Sequence, residues 1–187
     1  MTALYTVGHS THGIDAFIDL VRQAGLRHVV DVRVVPASRR HPHFARDALE
    51  RALASAGLGY TWEGEALGGF RKAPPGSRHT ALRNDSFRGY AEHMGTVAFR
   101  SALGRVLERA AEEPTTVMCA EAVWWRCHRG LIADAVVAQG HAARHLMPDG
   151  SIRAHALRDI VRVEDGWPVY DVVPIQPAFE DLQGHTP

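Results

Sequence analysis

Two cysteines in the second half of the chain carry the clearest candidates for chemistry. Cys119 closes a predicted strand, and Cys127 opens a predicted helix between Arg126 and Arg129. Unpaired amides at a helix N-terminus and adjacent cations favour an anion, so they should lower the pKa of the Cys127 thiol. A thiolate there would be a nucleophile or a redox-active group. The competing interpretation is a small, buried side chain at the start of a core helix.

The spacing of the two cysteines leaves their relationship open. Seven residues separate them, enough for a loop to bring them together as nucleophile and resolving thiol, as a disulfide, or as metal ligands. Thiolates with imidazole suit zinc, and His9, His128 and Asp31 offer further ligands. The spacing matches no established zinc motif, however. We therefore assign no metal ligand, and the cofactor stays unknown.

Other polar side chains follow the predicted strands. His9 and Ser10 come after the first strand, and Asp31 and Arg33 close the second. Asp31 could be a general base with Arg33 as an anion clamp, or the two could form a structural ion pair. His9 could move a proton or be a satisfied structural histidine, and Ser10 could simply cap a helix. Glu121 could supply a carboxylate or orient its loop.

The elements that must position these residues alternate along the chain. Strands are predicted over residues 4–7, 28–32, 60–63, 115–120 and 143–146, and helices over 15–24, 46–56, 87–111 and 127–138, with a break near Gly95. This alternation predicts an α/β fold: a single open, mostly parallel sheet with helices on both faces. Ligands bind such sheets at the carboxyl ends of the strands, where all the polar clusters fall.

The rest of the chain is predicted from its turn residues and charges. Residues 64–85 are expected to form a long surface loop, and residues 1–150 an α/β domain. Residues 151–187 are expected to form an appendage packed on that domain or trailing from it, with a short helix over 154–162 and an edge strand over 169–173.

Charge is balanced overall but unevenly placed. The 21 basic and 21 acidic residues cancel, yet residues 33–88 hold ten Arg or Lys against five acidic residues. Arg39 and Arg40 lie in that basic stretch. It is compatible with an anionic ligand, either a small molecule or a nucleic acid, or with a solvated surface. Helix-turn-helix, zinc-finger and RNA-recognition signatures are missing.

The sequence favours the cytoplasm and predicts no membrane contact. No apolar run reaches the roughly 18–20 residues of a membrane span, and the first residues do not resemble a signal peptide. Two cysteines are also far short of a secreted disulfide framework.

Six motifs together resemble the domain of unknown function 488 (DUF488) family of bacteria and archaea. They are TVGHST, VDVRVVPASRR, ALGGFRK, GYAEHM, MCAE and RCHRGLIADAV, in this order from residue 6 to residue 136. The resemblance implies an α/β domain whose His, Asp, Arg and Cys side chains gather at one site, and it implies no activity. One departure is AVWW between the cysteines, where the family usually has a polar or acidic stretch.

The leading hypothesis is a cytoplasmic enzyme that acts on an anionic, phosphate-bearing or nucleotide-like substrate. In this hypothesis Cys127 is the nucleophile or redox thiol, and His9 or His128 moves a proton. The expected catalytic residues are Cys127, Cys119, His9, Asp31 and His128, and the expected substrate-binding residues are Ser10, Arg33, Arg39, Arg40, Glu121 and Arg129. The alternatives are a non-catalytic nucleic-acid-binding module and a metal-dependent hydrolase that uses the cysteines and a histidine. Substrate, reaction and oligomeric state stay open.

Overall fold

Five parallel strands form the sheet in the computed structural model, which describes residues 1–37 and 40–172, and a sixth strand pairs antiparallel at one edge. The strands are β1 (Ala3–Gly8), β2 (His28–Asp31), β3 (Gly59–Trp62), β4 (Thr115–Cys119), β5 (Ala142–Leu146) and β6 (Ile152–Ala154). Their order across the sheet is β3-β2-β4-β1-β5-β6. The predicted open, mostly parallel α/β sheet is confirmed.

Helices cover both faces of this sheet. They are α1 (Ile14–Gln23), α2 (Arg46–Ser55), α3 (Gly64–Leu67), α4 (Asp85–Met94), α5 (Val97–Glu112) and α6 (Arg129–Ala138). Because side chains alternate along a strand, neighbouring residues serve opposite faces. Val29 shares a buried cluster with Phe17 of α1, whereas Val30 shares another with Leu103 of α5. None of the helices within the described ranges is long and apolar enough to cross a bilayer.

Two crossover connections leave the centre of the sheet in opposite directions, one on each face. The connection through α1 passes over β4 on its way from β1 to β2, and the connection through α6 passes over β1 between β4 and β5. Since the two connections run in opposite directions on opposite faces of the sheet, a crevice opens beyond the carboxyl ends of β1 and β4. The backbone N–H of His9 donates to Cys119 O there, and that of Ser10 donates to Ala120 O, both at 2.9 Å.

The helix boundaries agree with the sequence pattern except near the cysteines. The predicted break near Gly95 is present, with the Asn84 side chain capping α4 and Thr96 capping α5. The helix expected from Cys127 begins at Arg129 instead, because the chain leaves a short 3₁₀ helix over Trp124–Arg126 with Cys127 in an extended conformation. The segment predicted as a loop from residue 64 starts with the single turn α3.

The helix predicted over 154–162 is wrong. The chain is extended at His155, whose N–H donates to Ala143 O beside β5, and it continues into the hairpin β7 (Arg162–Glu164) and β8 (Trp167–Val169). The buried His155 side chain contacts Asp134 of α6, and this tertiary contact outweighs the local helical preference. The edge strand expected over 169–173 is not formed in the described residues, because β8 ends at Val169 and pairs only with β7. Residues from 173 onward lie outside the described part of the chain.

Candidate active site

Cys119 and Cys127 meet at the crevice beyond β4. Both side chains are buried, and they are not bonded to each other. His128 joins them, with its Nδ1 3.7 Å from Cys127 Sγ and 4.0 Å from Cys119 Sγ. The turn of 3₁₀ helix places the second cysteine, because the Cys127 N–H donates to Trp124 O. The structure therefore brings together three of the five residues predicted to be catalytic.

Buried Arg129 fixes the position of Cys127 and of the loop at Glu121. Its Nε donates to Cys127 Sγ at 3.4 Å, and its Nη2 donates to the Glu121 carbonyl at 2.6 Å. The side chain is 1% exposed. We expected Arg129 to bind the substrate, but its guanidinium faces the thiol and the backbone of the intervening loop. It holds Cys127 in place and puts a positive charge beside the sulfur.

The surroundings shift the pKa values of the two thiols in opposite directions. Burial by itself raises the pKa of the Cys127 thiol. Hydrogen bonds from Cys119 and His128, together with the charges of His128 and Arg129, more than offset burial and hold that pKa well below its usual range. The hydrogen bond to Cys127, burial and the nearby Glu121 carboxylate raise the pKa of Cys119 well above its usual range. Of the two thiols, Cys127 is therefore the one that loses its proton first, and Cys119 is the one that keeps it.

Asp31 and Arg33 form a buried ion pair at the end of β2. Arg33 Nε and Nη2 donate to the two oxygens of the Asp31 carboxylate at 2.9 and 2.6 Å, and the Tyr60 hydroxyl donates to the same group at 3.0 Å. Arg33 Nη2 also donates to the Phe44 carbonyl oxygen. A fully buried carboxylate that accepts three side-chain donors orients Arg33 and has little freedom to act as a base.

His9 completes the support of Arg33. Its Nδ1 lies 3.0 Å from Ser10 O, which can only accept, so Nδ1 carries the proton and Nε2 accepts from Arg33 Nη1 at 3.3 Å. Its ring stacks on Phe44 at 4.1 Å. Burial and the Arg33 charge lower the pKa of His9 to about 4. Because both ring nitrogens of His9 already have hydrogen-bond partners, His9 serves to hold Arg33 in place. His128 is better placed to move a proton.

The other predicted site residues lie around the rim. Ser10 adopts a left-handed conformation, with φ of 49°. It lies with exposed Arg40 in a depression of about 520 Å³ around His9, called here the His9 depression. The Glu121 carboxylate accepts from the Cys119 thiol at 3.1 Å. Arg39 lies outside the described residues.

A second cavity opens directly onto the cysteines. It has a volume of about 380 Å³, within the range of small-molecule sites, and is called here the cysteine cavity. Cys119, Cys127 and His128 line it with Arg33 and Arg126, and Phe70, Phe87 and Tyr90 supply apolar wall. The sequence indicated Arg126 only as a neighbour of Cys127 and Phe70 only as an aromatic side chain on a basic segment. It did not place Phe87 or Tyr90 at the site, since residues so distant in sequence give no local signal of a shared cavity.

The same three residues could also hold a metal ion. The ligand atoms of Cys119, Cys127 and His128 all lie within 4.8 Å of one another. Separations of this size are close to those between ligands of a tetrahedral zinc ion with bonds of about 2.0–2.3 Å. The cysteine cavity would leave a fourth position open.

A buried polar network behind the site escaped the sequence analysis. Asp134, in the middle of α6, accepts from His155 Nε2 at 2.9 Å, from Arg158 and from the Tyr170 hydroxyl. His155 Nδ1 lies 2.9 Å from His145 Nε2, so the network reaches β5. The signal was present: a carboxylate in the apolar run LIADAVV must find partners, because an unpaired buried charge is costly.

Comparison with known proteins gives a family but no activity. The family model described as domain of unknown function DUF488 matches residues 13–136. That range contains Asp31, Cys119 and Cys127 and begins after His9. No curated protein and no solved structure shows significant similarity to the chain.

Proposed function

Because the chain belongs to the DUF488 family, whose description gives no activity, we propose its function from the site: a thiol-dependent enzyme that acts on an anionic substrate in the cysteine cavity. One observation carries this proposal. The Cys127 sulfur lines a cavity of about 380 Å³ while Arg129 Nε donates to it and His128 Nδ1 lies 3.7 Å away. A cysteine that served only as core packing would not need a buried guanidinium directed at its sulfur.

The walls of the cavity support an anionic substrate. Arg33 and Arg126 both line it, and Asp31 and His9 fix the orientation of Arg33. Arg126 is exposed and free to close on a bound group. A planar guanidinium suits carboxylate and phosphate groups, because its N–H donors match their paired oxygens.

The chemistry that this arrangement can perform is group transfer through a covalent thiol adduct. The Cys127 thiolate forms a bond to the electrophilic atom of the substrate, and the bond to the leaving group breaks. The leaving group departs with its electron pair and takes a proton from His128. Water then attacks the same atom, the bond to sulfur breaks, and the second water proton returns to His128.

Alkylation with a charged and a neutral reagent tests both parts of the proposal. Iodoacetate and iodoacetamide add the same kind of group to a thiolate and release iodide, but only iodoacetate is an anion. We expect both reagents to alkylate Cys127 faster than Cys119. We also expect the ratio of iodoacetate to iodoacetamide rates at Cys127 to exceed the ratio measured for free glutathione, because cations line the cavity.

Matched variants and a mass spectrum make the test decisive. Arg126→Ala should lower that ratio toward the glutathione value, whereas Arg51→Ala, on the exposed surface of α2, should leave it unchanged. Equal rates at the two cysteines, or a ratio no higher than that of glutathione, would overturn the proposal. So would a native mass spectrum of the untreated protein that shows one metal ion lost on denaturation, because the thiols would then be ligands.

A further inference from the structure

Three depressions adjoin one another along the carboxyl edge of the sheet. The His9 depression shares Arg33 and Glu121 with the cysteine cavity. The cysteine cavity shares Phe70 and Ser86 with a third, open depression of about 850 Å³ formed by residues 70–77 and the start of α4. Together they make a continuous groove, called here the edge groove, that is much longer than the cysteine cavity alone.

The edge groove is strongly cationic. Among the described residues its walls contain two carboxylates, Glu121 and Asp85. They contain six Arg or Lys side chains: Arg33, Arg40, Arg71, Lys72, Arg88 and Arg126. A polyanion that carries a phosphate at regular intervals would meet cations along the whole groove.

Arg33 pairs with Asp31 and Arg88 with Asp85, whereas several of the other cations of the groove are not neutralised by the protein. Arg71 donates to the backbone carbonyls of Glu65 and Gly68, which fixes the guanidinium without cancelling its charge. In the described part of the chain, no carboxylate lies within ion-pair distance of Lys72 or Arg126. These cations have no carboxylate partner among the residues that the structure describes, and hydrogen bonds to the backbone hold one of them, Arg71, in place. Both features favour an anionic ligand over a solvated surface.

Apolar side chains stand exposed at both junctions of the groove. Phe70, between the cysteine cavity and the third depression, is 89% exposed and has a φ of 59°. A left-handed conformation is strained for a bulky residue, and such strain clusters at functional sites. Val35, at the junction with the His9 depression, is also largely exposed. An exposed aromatic ring among cations offers a base a surface for stacking.

We propose that the edge groove binds single-stranded nucleic acid, with the phosphates along the cations and one base stacked on Phe70. This names the substrate class of the enzyme proposed above and rests on that function only for the chemical step at Cys127. An acidic peptide would use the cations but would leave the exposed aromatic ring without a role. A base pair inside a duplex would be stacked already and could not enter the groove beside Phe70 without unstacking.

Fluorescence anisotropy with a labelled single strand of thymidines tests the proposal. Phe70→Ala should weaken binding about 5- to 150-fold, the range measured when a stacking aromatic is removed. Its control is Val97→Ala, which removes an exposed apolar side chain at the start of α5. Lys72→Ala should lower the slope of log affinity against log salt by about 0.7, whereas Arg51→Ala should not change the slope.

Each further result decides one question. A uridine strand bound more tightly than a deoxyuridine strand would identify RNA as the ligand, and the reverse would identify DNA. Strand binding is measured without any reaction at Cys127, so a failure of the alkylation test leaves the groove standing. The proposal is overturned if Phe70→Ala matches Val97→Ala, or if a duplex of thymidine with adenosine strands binds as tightly as the single strand.

Discussion

At the scale of single residues, His9 makes the stability of the protein depend on pH. Its pKa falls from the ordinary 6.5 to about 4 in the folded protein, because the ring is buried and faces Arg33. Between these values the unfolded chain binds more protons at His9 than the folded protein does, so the free energy of unfolding rises with pH. The contribution is complete above about pH 6.5 and is lost as the pH falls toward 4. It amounts to at most about 3 kcal/mol.

Urea unfolding at about pH 7 and about pH 4.5 measures this contribution. The parent protein should lose more stability than His9→Asn does between the two conditions, because the variant has no group to titrate there. The ring can also be followed directly by nuclear magnetic resonance. A His9 resonance that titrates with a midpoint near 6.5 would contradict the assigned environment.

The residue types in the sequence predicted the position of the site well. They predicted the role of each residue less well. The sequence placed His9, Asp31 and Cys119 at one edge of a sheet, since each closes an apolar strand, and the structure has them there. It could not show that Arg129 faces the Cys127 sulfur from within the protein. The direction of a long side chain depends on contacts with loops that are distant in sequence.

At the scale of elements, the join between β1 and β4 tolerates no side chain at Gly8. A Cβ there would lie 1.8 Å from the Glu121 carbonyl oxygen and 2.9 Å from the Arg129 guanidinium. Gly8→Ala must push these strand ends apart, so we expect it to lower the free energy of unfolding by more than about 3 kcal/mol. Gly104 lies inside α5 with open space around it. Gly104→Ala should therefore raise stability by about 0.5–1 kcal/mol.

Chemical denaturation of the two variants checks this contrast. The same substitution is made in both, so a difference in sign isolates the close approach at the site from the general effect of replacing glycine. If Gly8→Ala unfolded at the same urea concentration as the parent protein, the packing of β1 against the Glu121 loop would be wrong.

The existence of the elements followed from local patterns, and their arrangement did not. Alternating apolar runs predicted the five parallel strands, with ends within about two residues of those observed. The insertion of β4 between β2 and β1 depends on non-local pairing that no short window of sequence contains. The false helix over 154–162 has the same origin, because the partners of His155 lie on α6 and β5.

At the scale of the whole molecule, the Asp134 network ties the C-terminal residues to the sheet. Tyr170 is fully buried and donates to Asp134 at 2.9 Å, and the network continues through His155 and His145 to Thr6 of β1. We therefore expect the described residues after β6 to unfold together with the α/β core. A hydrogen bond to a charged group contributes about 1.5–3 kcal/mol, so Tyr170→Phe should lower the free energy of unfolding by that amount.

Tyr5→Phe is the matched control, because the Tyr5 hydroxyl accepts from Arg144 at the surface, at 3.1 Å. We expect its effect to stay within about 0.5 kcal/mol. Tryptophan fluorescence comes from Trp62, Trp124, Trp125 and Trp167, and the part of it that Trp167→Phe removes reports on the C-terminal hairpin. Far-ultraviolet circular dichroism reports mainly on the helices. The two signals should change at the same urea concentration in the parent protein and move together in Tyr170→Phe. A fluorescence change that precedes the loss of helix would show that the C-terminal residues unfold as a separate unit, and the network would then be too weak to couple them to the site.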